Sequence, residues 1–183
     1  MLVAMAGLPG TGKSTVARAV VAALQQGNRA AVVLNKDTVR ATLFPPETIE
    51  YSREQDDLCV DILLQVATFL LRRQPDTIVF LDGRTFSHHD QVTSIAEAAK
   101  AIPTDLHFIE CTCDEATALA RLRRDQREQR HPAQNRDAAL YCRVRRCAEP
   151  LQVPHHLVVD TERTLEESTT RVLDYLRHAT GAT

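Results

Sequence analysis

Residues 7–14 read Gly7-Leu8-Pro9-Gly10-Thr11-Gly12-Lys13-Ser14. Glycine, glycine-lysine and a hydroxyl stand at the spacing GxxxxGK[ST]. An apolar run, Leu2–Ala6, precedes the stretch, and a helical pattern opens at about residue 13. Strand, glycine-rich turn and helix start therefore follow one another directly. Glycines let the backbone curl so that several N–H groups converge on one anion. The helix N-terminus adds the positive end of its dipole. A lysine at position 13 reaches β- and γ-phosphates, and a serine at position 14 ligands Mg²⁺. Gly7, Gly10, Thr11, Gly12, Lys13, Ser14 and Thr15 are thus the expected nucleotide-binding set. ATP and Mg²⁺ are the expected ligands, with Lys13 also catalytic.

The rest of the chain repeats the alternation. Further apolar runs are Ala30–Leu34, Thr77–Leu81, Leu106–Ile109 and His156–Val159. They are short and aliphatic without strict polar alternation, as strands buried on both faces of a parallel sheet read. Amphipathic stretches lie between them, at about 13–26, 51–73, 87–101, 113–130 and 163–178. A shorter helix begins near Asp37 and ends at Pro45-Pro46. The expectation is an α/β domain over 1–183, with a five-stranded parallel sheet and helices on both faces.

Composition sets outer limits. The 183 residues are 44% hydrophobic and 25% charged, with a net charge of −2. That excludes intrinsic disorder and argues against a uniformly basic nucleic-acid-coating protein. No signal peptide and no membrane-length apolar run is read, so the expectation is a cytosolic chain without membrane contact. The five cysteines fall at no paired spacing, and are expected reduced and mostly buried rather than bridged or metal-bound.

Three further groups carry chemistry. Asp82 follows the third apolar run, at the sheet edge where ligands gather, and is expected to help hold magnesium. Asp37 and Arg40, three apart, share a helix face. Asp37 is expected at the helix N-cap, as a base that takes a proton from a substrate hydroxyl. Arg40 and Arg84 are the expected substrate contacts. His88 and His89 begin a helix, where capping is the commoner role.

Basic residues are unevenly placed. Only three of the 22 are lysine, and nine arginines fall between Arg121 and Arg146 against Asp125, Glu128 and Asp137. A +6 segment thus sits on a −8 body. The segment is expected to be helical around a mobile loop at His131–Asn135.

GLPGTGKST, then DTVR after the second strand, then FLDG and the arginine-rich segment, resembles the P-loop kinases that phosphorylate small hydroxyl substrates. Gluconate kinase, adenylylsulfate kinase and the phage-type 5′-hydroxyl polynucleotide kinase belong to this group. The tail Glu149-Pro150-Leu151 with His156–Thr161 is similar to that of adenylylsulfate kinases, whereas Asn35-Lys36 stands where those show Asp-Gly. The resemblance implies a three-layer P-loop NTPase fold with an arginine-rich helical lid at about 121–150. In the phage-type family the DxxR motif supplies a base and a substrate-phosphate-binding arginine, matched by Asp37 and Arg40. Its lid laid over this segment favours Arg123 and Arg127 as catalytic, while the local cluster equally allows Arg121 and Arg124 on ATP.

The leading expectation is transfer of the ATP γ-phosphate to a hydroxyl of a small metabolite or antibiotic. A 5′-hydroxyl polynucleotide kinase is the alternative, disfavoured by aromatics at 4% and no tryptophan. A non-kinase ATPase or nucleotide switch is the rival class. Against it, the chain ends soon after the fifth strand, leaving no room for an AAA-type helical lid domain. Asn35-Lys36-Asp37 also comes too early for a guanine-reading motif. Acceptor identity and oligomeric state are open at this level.

Overall fold

The computed structural model describes residues 1–102, 104–128, 137–179 and 181. Five strands form one parallel sheet: β1 (Leu2–Ala6), β2 (Ala31–Asn35), β3 (Ile78–Asp82), β4 (Leu106–Thr112) and β5 (His156–Asp160). Their spatial order is β2-β3-β1-β4-β5. β1 is central and buried at every position, as its unbroken apolar run requires. The glycine-rich stretch therefore leaves the sheet at its middle, where the chain departs to both sides.

Among the described residues seven α-helices surround the sheet: α1 (Lys13–Gln26), α2 (Lys36–Leu43), α3 (Arg53–Arg73), α4 (His89–Ala99), α5 (Glu115–Arg127), α6 (Ala138–Arg146) and α7 (Leu165–Ala179). Alternate residues of β1 feed two cores. Leu2, Ala4 and Ala6 pack with Leu63, Leu64 and Ala67 of α3 and Ile95 of α4. Val3 and Met5 pack with Val16 and Val20 of α1 and Val172 and Leu176 of α7. The layers are thus helix, sheet, helix, as expected. A third small cluster, Ala118, Leu122 and Tyr141, joins α5 to α6.

Several boundaries differ from the sequence expectation. β2 and β3 each run one residue further, so Asp82 ends its strand rather than following it. β4 continues through Glu110 and Thr112 because it pairs with β5 as far as Thr112↔Asp160. Asp37 does not cap α2. β2 passes into the helix without a loop, and Asn35 is the N-cap, accepting from the Thr38 amide at 2.9 Å. The cysteines are all free, but Cys142 and Cys147 are exposed rather than buried. The loop expected at His131–Asn135, with Arg130 and Arg136, lies outside the described residues.

Gly83 shows how tightly β3 abuts α2. Its φ is +102°, and a Cβ there would stand 2.9 Å from Lys36 Cβ and 3.1 Å from the Lys36 amide nitrogen. Both strain and collision oppose a side chain. Gly83→Ala is expected to cost about 1–3 kcal/mol, lowering Tm by roughly 3–10 °C in thermal denaturation.

Candidate active site

The turn after β1 is shaped by positive φ at Gly7, Gly10 and Gly12. Gly10 must also lack a Cβ, which would lie 2.6 Å from the Ala118 carbonyl oxygen. That approach brings α5 against the loop. The N-terminus of α1 differs from most of its neighbours. α2, α3, α5 and α6 each begin with a side-chain cap, whereas Gly12 provides none and no acid stands in the first turn of α1. No side-chain cap or first-turn acid therefore competes with an anion at the positive end of its dipole.

Lys13 is buried, and its ammonium donates to the carbonyls of Gly7 (2.7 Å) and Leu8 (2.9 Å). Gly10, Gly12, Lys13, Ser14 and Thr15 line a cavity of about 860 Å³. Gly7 and Thr11 shape the loop from behind. The Gly7 amide donates to Thr85 O, and the Thr11 hydroxyl donates to Leu8 O.

Asp82 is 2% exposed. Its Oδ2 accepts from Asn35 Nδ2 at 2.7 Å, while its buried Oδ1 has no hydrogen-bond partner among the described residues. A buried carboxylate oxygen without a partner calls for an explanation. Here, at the end of β3, it fits a hard cation taking oxygen ligands directly or through water. Ser14, at the head of α1, lines the cavity, whereas Asp82 stands outside that lining and borders a small space with Leu81, Arg84 and Phe86. No group of three His, Cys, Asp or Glu residues that could hold a metal occurs among the described residues. Burial pushes the Cys111 thiol up to about 12.

On the other side of the loop, α2 and α3 build a charged cluster. Arg40 donates from Nη1 to Asp37 Oδ1 at 2.8 Å and from Nη2 to Asp56 Oδ1. Lys36 Nζ lies 2.7 Å from Asp56 Oδ2 and 3.9 Å from Asp37 Oδ1. Burial, opposed by Asp37, pulls the Lys36 ammonium down to about 8. Arg84 donates to Asp57 Oδ1 at 2.5 Å. Lys36, Asp37, Arg40, Asp56 and Arg84 all line the same cavity as Lys13.

The arginines of α5 divide by helix face. Ala118 and Leu122 pin α5 to the protein, so Arg121, Arg124 and Asp125 reach the cavity. Arg123 and Arg127 are exposed and lie outside its lining, contrary to the sequence expectation. Arg121 is held in place by bonds to Thr161 Oγ1 (3.0 Å) and Thr161 O (2.7 Å). Sequence reasoning did not single out Arg143 of α6 or Arg18 and Arg163, which also line the cavity. His88 lines it too, whereas the His89 amide donates to Glu149.

A family model described as an AAA domain matches residues 2–151. No curated protein sequence matches the chain. Solved structures share the fold at low identity. APS kinase CysC of Mycobacterium tuberculosis, in complex with AMPPNP and APS, is 20% identical with a TM-score of 0.71, covering 96% of both chains. A gluconokinase from Sinorhizobium meliloti 1021 is 16% identical with a TM-score of 0.66, covering 97% of this chain and 91% of its own. Chaetomium thermophilum Kti12, in complex with ADP-AlF3, is 17% identical with a TM-score of 0.74, covering 98% of both. No helix among the described residues is long and apolar enough to cross a membrane.

Proposed function

The chain belongs to the AAA domain family matched over residues 2–151, and we propose that it is an ATP- and Mg²⁺-dependent phosphotransferase with a hydroxyl acceptor. One observation carries the reading. The cavity that holds the phosphate loop continues into a second chamber, and the chamber contains a buried carboxylate, Asp37, fixed by Arg40. A carboxylate beside the phosphate loop is what transfer to a hydroxyl asks for beyond nucleotide binding. The fold is one that APS kinase and gluconokinase use, and Kti12 as well.

The roles follow from placement. The loop amides and Lys13 receive the β- and γ-phosphates, with Lys13 exchanging its two carbonyl partners for phosphate oxygens. Ser14 and Asp82 would hold magnesium, which neutralises charge on those phosphates when bound. Asp37 accepts the acceptor hydroxyl's proton as its oxygen attacks. Arginines of α5 and α6 stabilise charge on the transferred group. Positioning and electrostatics carry the rate, since phosphoryl transfer asks little covalent chemistry of the protein.

The test is ATP consumption by the full chain across a panel of hydroxyl compounds, beside direct MgADP binding. Acceptor-stimulated ADP release supports the proposal. Tight MgADP binding with hydrolysis that no acceptor accelerates would mark a non-kinase ATPase or switch instead. Lys13→Ala is expected to weaken MgATP binding about 10–100-fold by titration calorimetry, the worth of charge-assisted bonds to a phosphate.

A further inference from the structure

The one cavity carries two different charge distributions. Sheet order separates its walls: β4 and β5 lead to one side of the central loop, and β2 and β3 to the other. On the first side Arg18, Arg121, Arg124, Arg143 and Arg163 join Lys13 against one carboxylate in the lining, Asp125. That excess suits a triphosphate.

The second side is close to balance. In the lining Lys36 and Arg40 contact Asp37 and Asp56, while Arg84 contacts Asp57, which stands just outside the lining and also meets Arg53. Arg40 is 2% exposed, and both of its terminal nitrogens are bound to carboxylates. A guanidinium captures a phosphate, sulfate or carboxylate through two parallel N–H groups. In Arg40 that fork is already occupied by the protein's own acids. Lys36 is likewise committed to Asp56. Arg40 Nε and Arg84 Nε are buried without a hydrogen-bond partner among the described residues, but each guanidinium's charge is already opposed by a carboxylate, so an anionic acceptor entering here would meet Asp37 and Asp56 without gaining an unopposed cation. The remaining lining on this side includes the hydrogen-bonding side chains of Tyr51, Thr85, Ser87, His88 and Gln91.

We infer that the acceptor is an uncharged polyhydroxylated molecule, selected by this carboxylate-neutralised chamber and not by an arginine that binds a substrate anion. The inference rests on the kinase reading for the word acceptor. It departs from the expectation that Arg40 grips an anionic group. Asp56 and Asp57 become specificity-determining residues, since they cancel the cations that would otherwise recruit an anion. They lie in the first two turns of α3, and neither is placed at the reacting atoms.

Inorganic sulfate tests the charge balance directly. The full chain is first saturated with MgADP, which fills the phosphate loop, and sulfate is then titrated by calorimetry. Wild type is expected to show no second sulfate site at millimolar concentration. Asp56→Asn is expected to gain a saturable site, at least about tenfold tighter than any wild-type binding, because Lys36 and Arg40 each lose a carboxylate. Asp57→Asn, which releases Arg84, gives the same readout should the first variant fail to fold. A saturable sulfate site on wild type beside bound ADP overturns the inference, as does failure of both folded variants to gain one.

A second arm separates this inference from the kinase reading. Phosphorylation of glucose, myo-inositol and adenosine is compared with that of gluconate, glucose 6-phosphate and adenosine 3′-phosphate. Transfer favouring the uncharged compounds supports the inference. Preference for the charged ones overturns it and leaves the kinase reading intact. Transfer to none of them with MgADP still bound counts against the kinase reading, and the sulfate titration then decides the charge balance alone.

Discussion

Asp37→Asn is expected to lower acceptor-dependent kcat by roughly 10²–10⁴, the usual worth of a positioned general base. The side chain keeps its shape and one hydrogen-bond acceptor for Arg40, so the fold is largely retained. Arg40 still holds Asp56. MgADP affinity is expected to stay within about threefold, because the phosphate loop lies on β1 and α1, not on α2. That pattern separates a catalytic loss from a structural one. A merely structural Asp37 would lower Tm and leave kcat within about tenfold for the folded fraction. In that case the base assignment fails. The choice of asparagine over alanine matters. Removing the oxygen altogether would leave a nearly fully buried guanidinium short of a partner, a cost of about 1–3 kcal/mol that would confuse the reading.

The sheet and the phosphate loop were legible because their residues depend on local rules. β1 is apolar throughout because both faces are covered, and the loop's glycines are dictated by backbone conformation. Where polar residues enter a strand, the pattern thins. Glu110 and Thr112 interrupt the apolar run of β4, yet the ladder to β5 runs through them as far as Thr112, and Glu110 meets His156 at 3.0 Å. The cap of α2 was misplaced for a related reason. An aspartate two residues into the helix looks like a cap unless the strand is known to end at Asn35.

The acceptor chamber was only half legible. Asp37 and Arg40 share a helix and so announce themselves by spacing. Asp56 and Asp57 read as ordinary acids of a first helical turn, favourable to the dipole and solvated. Their pairing with Lys36, Arg40 and Arg84 joins segments that only the fold brings together. No local signal in the sequence encodes it.

Arg124→Ala is expected to reduce kcat by about 10²–10³, and the pair Arg124→Ala with Arg143→Ala by about 10³–10⁵, the range over which an arginine on the transferred phosphoryl acts. Arg123→Ala and Arg127→Ala are expected to leave kcat within about twofold, as solvated helix charges do. The contrast is set by the phase of α5. Ala118 and Leu122 face inward, Arg121 and Asp125 stand three residues beyond them, and Arg124, three beyond Arg121, shares the flank that faces the cavity. Arg121, Arg124 and Asp125 come round to the cavity, while Arg123 and Arg127 turn away. Arg121 differs from Arg124 because Thr161 binds it twice, so its loss is expected to disturb the loop through Gly10 as well as catalysis. Steady-state kinetics of the single variants, with MgADP affinity measured alongside, distinguish the two faces. A large kcat loss at Arg123 or Arg127, with none at Arg124 or Arg143, would require α5 to turn by roughly a third of a revolution in the working enzyme. Such a turn would pull Leu122 out of its cluster with Tyr141, so the packing that fixes these arginines is itself part of what the experiment tests.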